Sequence, residues 1–181
     1  MAQRDPQQFV FVDESGTHTS LTRLYAWAPH DQRAHGQVPR NWGKNTTLVA
    51  GLTLHGLVAP WTVEGAMTSA AFEVYVREIL VPLLQPGDVV VVDNLSVHKA
   101  LPIRQAIEAR GATLIFLPPY SPDFSPVEGA FGKIKAVLRR LGARTRDALL
   151  DAIAQALNTV TPDDALGWFT HAGYRPLLQS T

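Results

Sequence analysis

Short apolar runs separated by turn residues occupy the earlier part of the chain and predict β-strands. The first run, FVFVDE, begins at Phe9, and the most apolar one, VVVV, ends directly before Asp93. Because this second run is apolar on both faces, it is typical of a parallel strand covered by helices. Further strands are predicted at TRLYAWAP, which ends at Pro29, at TTLVAGLTL, at GLVAPWTVEG, which is interrupted at Pro60, and at ATLIFLPP.

Apolar residues at helical spacing predict the helices. In TSAAFEVYVREILVPLL they recur every three or four residues from Phe72 to Leu83, with Thr68 or Ser69 as the N-terminal cap. Further helices are predicted at LPIRQAIEARG, PVEGAFGKIKAVLRRLG, RDALLDAIAQALNTV and PDDALGWFTHAG, the third of these capped by Thr145. Strands come first, then alternating helices and strands, then helices. This order predicts an α/β fold in which a mixed sheet is flanked by helices.

Length and composition restrict the class of protein. The chain has 181 residues, which is most simply one domain, and it has no cysteine, which excludes disulfides and thiolate metal sites. No apolar run approaches the ~20 residues of a membrane span, and the first residues lack the layout of a signal peptide. The formal net charge is zero, but basic residues crowd between Lys133 and Arg146. Charge placement is therefore more informative than the total.

Three carboxylates stand where predicted strands end or a helix begins. Asp13 ends the first strand, Asp93 ends the VVVV strand, and Glu128 begins the helix after a third strand. Sites in open α/β sheets gather at the carboxyl ends of strands, and neighbouring parallel strands would bring the two aspartates about 5 Å apart. An isolated aspartate of this kind is more often a turn or cap residue. The three together favour a site for Mg²⁺ or Mn²⁺, and a pair of ions ~3.5–4 Å apart would support phosphoryl transfer.

The segment SPDFSPVE, which contains Glu128, has two compatible interpretations. As local structure, Ser125 is the N-cap, Pro126 is the first helical residue, and Glu128 completes a capping box. As chemistry, Glu128 is a metal ligand that the positive helix N-terminus keeps ionised. Asp123 is the competing carboxylate, but its place after a proline predicts turn hydrogen bonding. Glu14 is predicted to be a solvated residue at the end of its strand.

The same residues resemble a known family. VDE in the first strand, VVVDNLSVHKA at the later one and LPPYSPDFSPVE are similar to the catalytic domain of mariner-like DDE transposases, especially their bacterial insertion-sequence relatives. The spacing from Asp93 to Glu128 matches the Asp-Asp-Glu version of the family, and Asn94 and His98 match its D-N-x-x-x-H pattern. RLYAWAP, GKNTTLVAGL and WFTHAGY extend the likeness over residues 9–174.

The resemblance implies an RNase H-like fold and DNA cleavage at transposon ends, followed by strand transfer to target DNA. Asp13, Asp93 and Glu128 would be the catalytic residues and would bind two Mg²⁺ (or Mn²⁺) ions. The implied divisions are an N-terminal extension (1–8), the catalytic domain (9–174) and a C-terminal tail (175–181). Two alternatives stay open, namely an RNase H-like nuclease without strand transfer and a non-catalytic, truncated relict that binds DNA.

The implied partners are DNA, as transposon ends and as target, and a second copy of the chain in the DNA complex. The family carries an N-terminal helix-turn-helix region, whereas here the first strand begins at Phe9. We therefore expect a helix-turn-helix protein or domain encoded in an upstream reading frame. The implied location is the bacterial cytoplasm, at the nucleoid when the protein is active, and no membrane partner is expected.

The remaining candidates surround the three carboxylates. Asn94 and His98 are expected to support them by holding Asp93 or by touching DNA, although either residue could simply shape its own turn or helix start. The candidates for DNA binding are Arg40, Trp42, Lys44, Lys133, Lys135, Arg139 and Arg140. A solvated helix face explains the last four equally well, and Trp42 could also pack against the sheet. Core positions are expected for Trp27, Trp61 and Trp168.

Overall fold

The computed structural model describes residues 5–40, 43–95, 98–119 and 121–175. Within these residues five strands form one sheet, namely β1 (Phe9–Thr17), β2 (Thr46–Thr53), β3 (Gly56–Glu64), β4 (Val89–Val92) and β5 (Thr113–Phe116). The α-helices are α1 (Ser69–Tyr75), α2 (Leu101–Glu108), α3 (Val127–Leu141), α4 (Arg146–Leu157) and α5 (Pro162–His171). α1 continues into a π-helical turn (Val76–Leu80) and a 3₁₀ turn (Val81–Leu83), and further 3₁₀ turns cover Pro6–Gln8 and Pro122–Phe124.

The sheet is mixed, as the sequence predicted. Its strand order is β3-β2-β1-β4-β5. β1 pairs antiparallel with β2, and β2 pairs antiparallel with β3. β1 also pairs parallel with β4, with Val12 opposite Val92, and β4 pairs parallel with β5. The first strand and the VVVV strand are therefore parallel neighbours.

Two helical layers cover the sheet, and β1 contributes side chains to both. Successive residues of a strand face opposite sides of the sheet. Phe9 and Phe11 pack into a core shared with α3, α4 and α5. Val10 and Val12 pack into a second core on the side of α1 and α2. The same alternation directs Asp13 towards α3, and it directs Glu14 towards α1 and α2.

The segment TRLYAWAP is not a strand, contrary to the prediction. Tyr25 and Trp27 are 90% and 101% exposed, so the expected core position of Trp27 is also wrong. The strand before the segment, β1, is already paired with β2 and β4, so no free edge beside β1 is left for the segment to join. Trp61 and Trp168, by contrast, are partly buried and pack against the two cores.

Pro60 does not interrupt its strand, because β3 runs through it from Gly56 to Glu64. β3 is an edge strand, where the missing N–H of a proline need not cost a hydrogen bond of the ladder. The register between β2 and β3 shifts between Val49 and Gly51, and Ala59 has a positive φ of 52°. The local irregularity is therefore a bulge rather than a break.

Helix caps agree with the sequence at two of the predicted positions. The Thr68 hydroxyl accepts a hydrogen bond from the backbone N–H of Ala71 at 3.2 Å and caps α1. The Thr145 hydroxyl accepts one from the N–H of Ala148 at 3.2 Å and caps α4. No helix in the described part of the chain combines the length and apolar character needed to cross a membrane.

Candidate active site

Asp13 and Asp93 are brought together by the parallel pairing of β1 with β4. β4 ends at Val92, opposite Val12, so Asp93 is the first residue beyond the paired region. Asp13 does not end its strand as predicted, because β1 continues to Thr17 and pairs there with β2. The termination of β4 therefore opens the sheet beside Asp13, in the middle of β1.

Glu128 joins the two aspartates from the first turn of α3. All three carboxylates line one open pocket, together with residues of the loops after β4 and β5. The buried Val127 and Phe131 anchor the start of α3 against the sheet. The structure thus brings together the three carboxylates that the sequence singled out.

The predicted capping box at the start of α3 is wrong. Pro126 occupies the N-cap position in helical conformation, and no side chain caps the helix. Ser125 contributes its backbone carbonyl, which accepts from the N–H of Glu128 at 3.2 Å. The reason is the preceding 3₁₀ turn, Pro122–Phe124, which leads almost directly into α3. The carboxylate of Glu128 is therefore not tied up in a cap.

Asp123 lies outside the pocket of the three carboxylates. It is an exposed residue of the 3₁₀ turn before α3. It lines a neighbouring groove, which also includes Trp168 and His171 of α5. Its position agrees with the prediction that Asp123 belongs to the turn.

The pKa of Asp13 reflects the crowding of acids in the pocket. Burial raises this pKa from 3.8 to about 7, and the charges of Glu128, Glu14 and Asp93 add to the rise. A hydrogen bond donated by the backbone N–H of Glu14, at 2.8 Å, acts in the opposite direction. Near neutral pH such a group either holds a proton or is stabilised by a cation. The pocket is therefore an unfavourable place for bare negative charge.

His98 contacts two carboxylates and is fully buried. Its Nδ1 lies 2.6 Å from Oδ1 of Asp93, and its Nε2 lies 2.9 Å from Oε1 of Glu14. Carboxylate oxygens only accept, so both bonds are satisfied when both ring nitrogens carry protons. Burial lowers the pKa of His98, but the hydrogen bond and charge of Glu14, with those of Asp93, outweigh this effect and raise it. Of the expected roles of His98, contact with a carboxylate is the one the structure contains.

Glu14 belongs to this site, although no sequence pattern indicated it. Its side chain is only 12% exposed, so the prediction of a solvated strand end is wrong. The signal that could have identified it is strand alternation, which places Glu14 and Asp13 on opposite faces of β1. Asn94 lines the pocket, whereas the hydrogen bonds to Asp93 among the described residues come from Leu95 and His98.

The ligand atoms of the pocket are of the type that a hard divalent cation prefers, but their side chains are not arranged as a metal centre. Asp13, Asp93 and Glu128 supply oxygen atoms alone, as Mg²⁺ and Mn²⁺ prefer. Among the described residues, however, no group of three or more His, Asp or Glu side chains converges closely enough to form a ready metal centre. The pocket is therefore a cluster of acidic side chains and not a preformed metal-binding site.

The basic candidates of α3 extend away from the pocket. With a rise of ~1.5 Å per residue, Arg139 and Arg140 lie about 17 Å along the helix axis from Glu128. Lys133 forms an ion pair with Asp164 of α5, so its charge also joins two helices. Lys135 is half-buried on the same helix, which leaves Arg140 as the exposed member of the group. Contact of these residues with DNA stays a prediction.

The second group of basic candidates lies between β1 and β2. Arg40 and Lys44 are exposed, and Trp42 lies outside the described residues. Lys44 Nζ is 2.7 Å from Glu64, and Arg146 approaches the other oxygen of Glu64 to 2.6 Å. The hydrogen bond from Lys44, with the charge of Arg146, lowers the pKa of Glu64. The charge of Lys44 is thus shared with a glutamate of β3.

Comparison with known proteins identifies the family of this chain from its sequence and similar folds among solved structures. The family model for the DDE superfamily endonuclease matches residues 8–150, which is more than half of the chain. A comparison with curated protein sequences gives no match. The catalytic domain of the Mos1 mariner transposase superimposes with a TM-score of 0.61 at 14% identity, over 92% of this chain and 78% of that one.

Two further solved structures are a paired end complex and a strand transfer complex of Mos1. The Mos1 mariner paired end complex with Mn matches with a TM-score of 0.72 at 15% identity, over 92% of this chain and 53% of that one. The Mos1 strand transfer complex matches with a TM-score of 0.67 at 14% identity, over 92% and 51%. The chain thus spans about half the length of the proteins in these complexes. The predicted RNase H-like sheet is confirmed, while the bacterial insertion-sequence branch stays a prediction.

Proposed function

We propose that this chain, which belongs to the DDE superfamily endonuclease family, is the catalytic domain of a DNA transposase. It would cut DNA at transposon ends and transfer the released strand to target DNA. The observation that carries this proposal is the convergence of Asp13, Asp93 and Glu128 on one pocket at the open end of β4. The matched Mos1 complexes, described as paired end and strand transfer complexes, give the reaction to test.

Asp13, Asp93 and Glu128 would hold Mg²⁺ or Mn²⁺, most simply as a pair of ions. Their oxygen atoms suit these cations, and the raised pKa of Asp13 means that added positive charge relieves repulsion in the pocket. The chemistry supplied by such a bound pair is activation of an attacking water or 3′-hydroxyl and stabilisation of the leaving oxygen. No nucleophilic side chain is then required.

The protein's own contribution is to orient the reacting groups. Asp13 is held by the antiparallel pairing of β1 with β2, where it lies opposite Ala50, and Glu128 is held by the packing of α3. The N-terminus of α3 carries partial positive charge, which interacts favourably with nearby carboxylate groups. The pocket is open to solvent at the edge of the sheet, so a phosphodiester of an extended substrate could reach all three carboxylates.

We further propose DNA, both transposon ends and target, as the partner, together with a second copy of the chain in the DNA complex. Recognition of the ends would come from a helix-turn-helix protein or domain encoded upstream. The basic residues that we assign to DNA contact are Arg40, Lys44, Lys133, Lys135, Arg139 and Arg140. Of these, Lys44 also pairs with Glu64 and Lys133 with Asp164. The expected location is the bacterial cytoplasm, at the nucleoid during activity.

The test uses supercoiled plasmid as the probe for cutting, and a pre-cleaved end from the DNA flanking the gene as the probe for joining. With Mn²⁺ or Mg²⁺, the wild type should nick the plasmid, and the two-frame product should join the 3′-hydroxyl end to it. The Asp93→Asn variant should lose cutting while keeping its thermal unfolding, and the Asp123→Asn variant should remain active. Normal cutting by Asp93→Asn would refute the site, and cutting without joining would favour the nuclease.

A further inference from the structure

We infer that Glu14 and His98 form a carboxylate–imidazole bridge that positions Asp93, so that Glu14 supports divalent-cation binding from the opposite face of the sheet. The inference rests on the proposed function, since the role of Asp93 as a ligand is itself proposed. Glu14 is a positioning residue here, because it acts through His98 and does not touch the reacting atoms.

Asp93 lies just beyond the paired part of β4. The last paired residue of β4 is Val92, so strand pairing does not hold the Asp93 carboxylate. His98 lies five residues further on and reaches back to Oδ1 of Asp93 at 2.6 Å. Glu14, 84 positions away in sequence, holds the other ring nitrogen at 2.9 Å. The bridge thus ties the segment after β4 to β1, which is the central strand of the sheet.

The bridge uses one of the two carboxylate oxygens of Asp93. Oδ1 accepts both from the backbone N–H of Leu95, at 3.0 Å, and from His98. Among the described residues, these bonds leave Oδ2 as the oxygen available to the pocket. A carboxylate with one oxygen held in this way has little rotational freedom. Groups that orient a ligand from behind typically change metal affinity by about 10–100-fold when they are removed.

The His98 ring of the bridge is shielded from water. The His98 ring packs against Phe72, with ring centroids 4.2 Å apart. Tyr75 is fully buried on the same side of the sheet, and its hydroxyl has no hydrogen-bond partner among the described residues. Hydrogen bonds are electrostatically stronger in such surroundings than in water. Removal of Glu14 therefore leaves His98 without a hydrogen-bond partner, and water cannot easily take its place.

The experiment separates the hydrogen bond from the charge of Glu14. Glu14→Gln removes the charge but keeps a side chain of the same length, whose amide can accept from or donate to His98. Glu14→Asp keeps the charge but is one methylene too short to reach the ring. Glu14→Ala removes both. Glu64→Ala is the matched control, because Glu64 is a strand glutamate with two ion pairs that does not line the pocket.

Binding of Mn²⁺ to the full chain is measured by electron paramagnetic resonance of the free ion, with thermal unfolding recorded for each variant. If Glu14 positions Asp93, Glu14→Ala and Glu14→Asp should weaken Mn²⁺ binding by about 10–100-fold. Glu14→Gln and Glu64→Ala should stay close to the wild type. Asp93→Asn tests the ligand itself and should lose binding altogether.

The outcomes distinguish this inference from the proposed function. Wild-type affinity in both Glu14→Asp and Glu14→Ala would overturn the bridge while leaving the site intact. Equal weakening in Glu14→Gln and Glu14→Ala would also overturn it, because charge and not position would then be the cause. Should Glu14→Ala not fold, the pair Glu14→Asp and Glu14→Gln still decides. Absence of Mn²⁺ binding in the wild type would instead refute the proposed site, and the bridge with it.

Discussion

Replacement of Asp13 by asparagine should stabilise the folded protein at neutral and alkaline pH while abolishing DNA cutting. Burial raises the pKa of Asp13 from 3.8 to about 7, and the charge of Glu128 adds to this effect. Asparagine has nearly the same shape and keeps an oxygen that accepts from the N–H of Glu14. Because it does not ionise, it removes the cost of holding a charge in the pocket.

The sign and size of the effect follow from proton linkage. The folded chain binds the Asp13 proton more tightly than the unfolded chain, so the free energy of unfolding falls as the pH rises between 3.8 and about 7. One pKa unit corresponds to about 1.4 kcal/mol. The cost to the wild type is therefore at most about 4 kcal/mol at pH 8 and under about 2 kcal/mol at pH 5.

Urea unfolding in the presence of a chelator measures this difference. Asp13→Asn should exceed the wild type in free energy of unfolding, and the excess should be larger at pH 8 than at pH 5. Asp123→Asn, a change of an exposed turn residue, should follow the wild type at both values. Added Mg²⁺ should restore stability to the wild type alone, because a ligand of the folded state stabilises it. An excess that does not grow with pH would refute the reasoning.

Two further changes test how α5 is built and how it supports the start of α3. A Cβ atom at Gly129 would lie 2.5 Å from the Trp168 ring, so Gly129→Ala should lower the free energy of unfolding in urea by about 1–3 kcal/mol. Gly132→Ala is the control, because a Cβ atom there would have nothing within 4 Å, and it should be neutral or stabilising. Equal losses of stability in the two variants would contradict this expectation. Thr161→Ala removes the hydroxyl that accepts from the N–H of Asp164 and should cost about 1 kcal/mol in thermal unfolding, an expectation that an unchanged melting temperature would rule out.

The parts of the fold that the sequence predicts are those fixed by local periodicity. A strand of four valines must be buried on both faces, and β4 packs into a hydrophobic core on each side of the sheet. The apolar spacing of α3 marks its buried stripe, from Val127 to Leu138. The carboxylates Asp13, Asp93 and Glu128 could be grouped because each was placed at the end or the start of a predicted element, although β1 in fact continues beyond Asp13 to Thr17. Where strands and helices begin and end was enough to predict this pocket.

The parts that the sequence does not predict depend on distant pairing. TRLYAWAP has the composition of a strand, but both edges of β1 are occupied by other strands. The cap expected from Ser125 fails because a 3₁₀ turn precedes it. The contact of His98 with Glu14 joins residues 84 positions apart, and no local pattern specifies it. In each case a neighbour supplied by the tertiary fold decides the outcome.

Asp13 and Glu14 show how the core determines the chemistry of the pocket. Side chains of a strand alternate between its faces, so Asp13 shares a face with Phe9 and Phe11, whereas Glu14 shares the other with Val12. A slip of β1 by one residue would exchange these faces, moving Glu14 towards α3 and Asp13 towards the buried His98. The large aromatic rings that pack against α5 and the smaller valines on the other face oppose that slip. The register of the hydrophobic core therefore also selects which carboxylate faces the pocket.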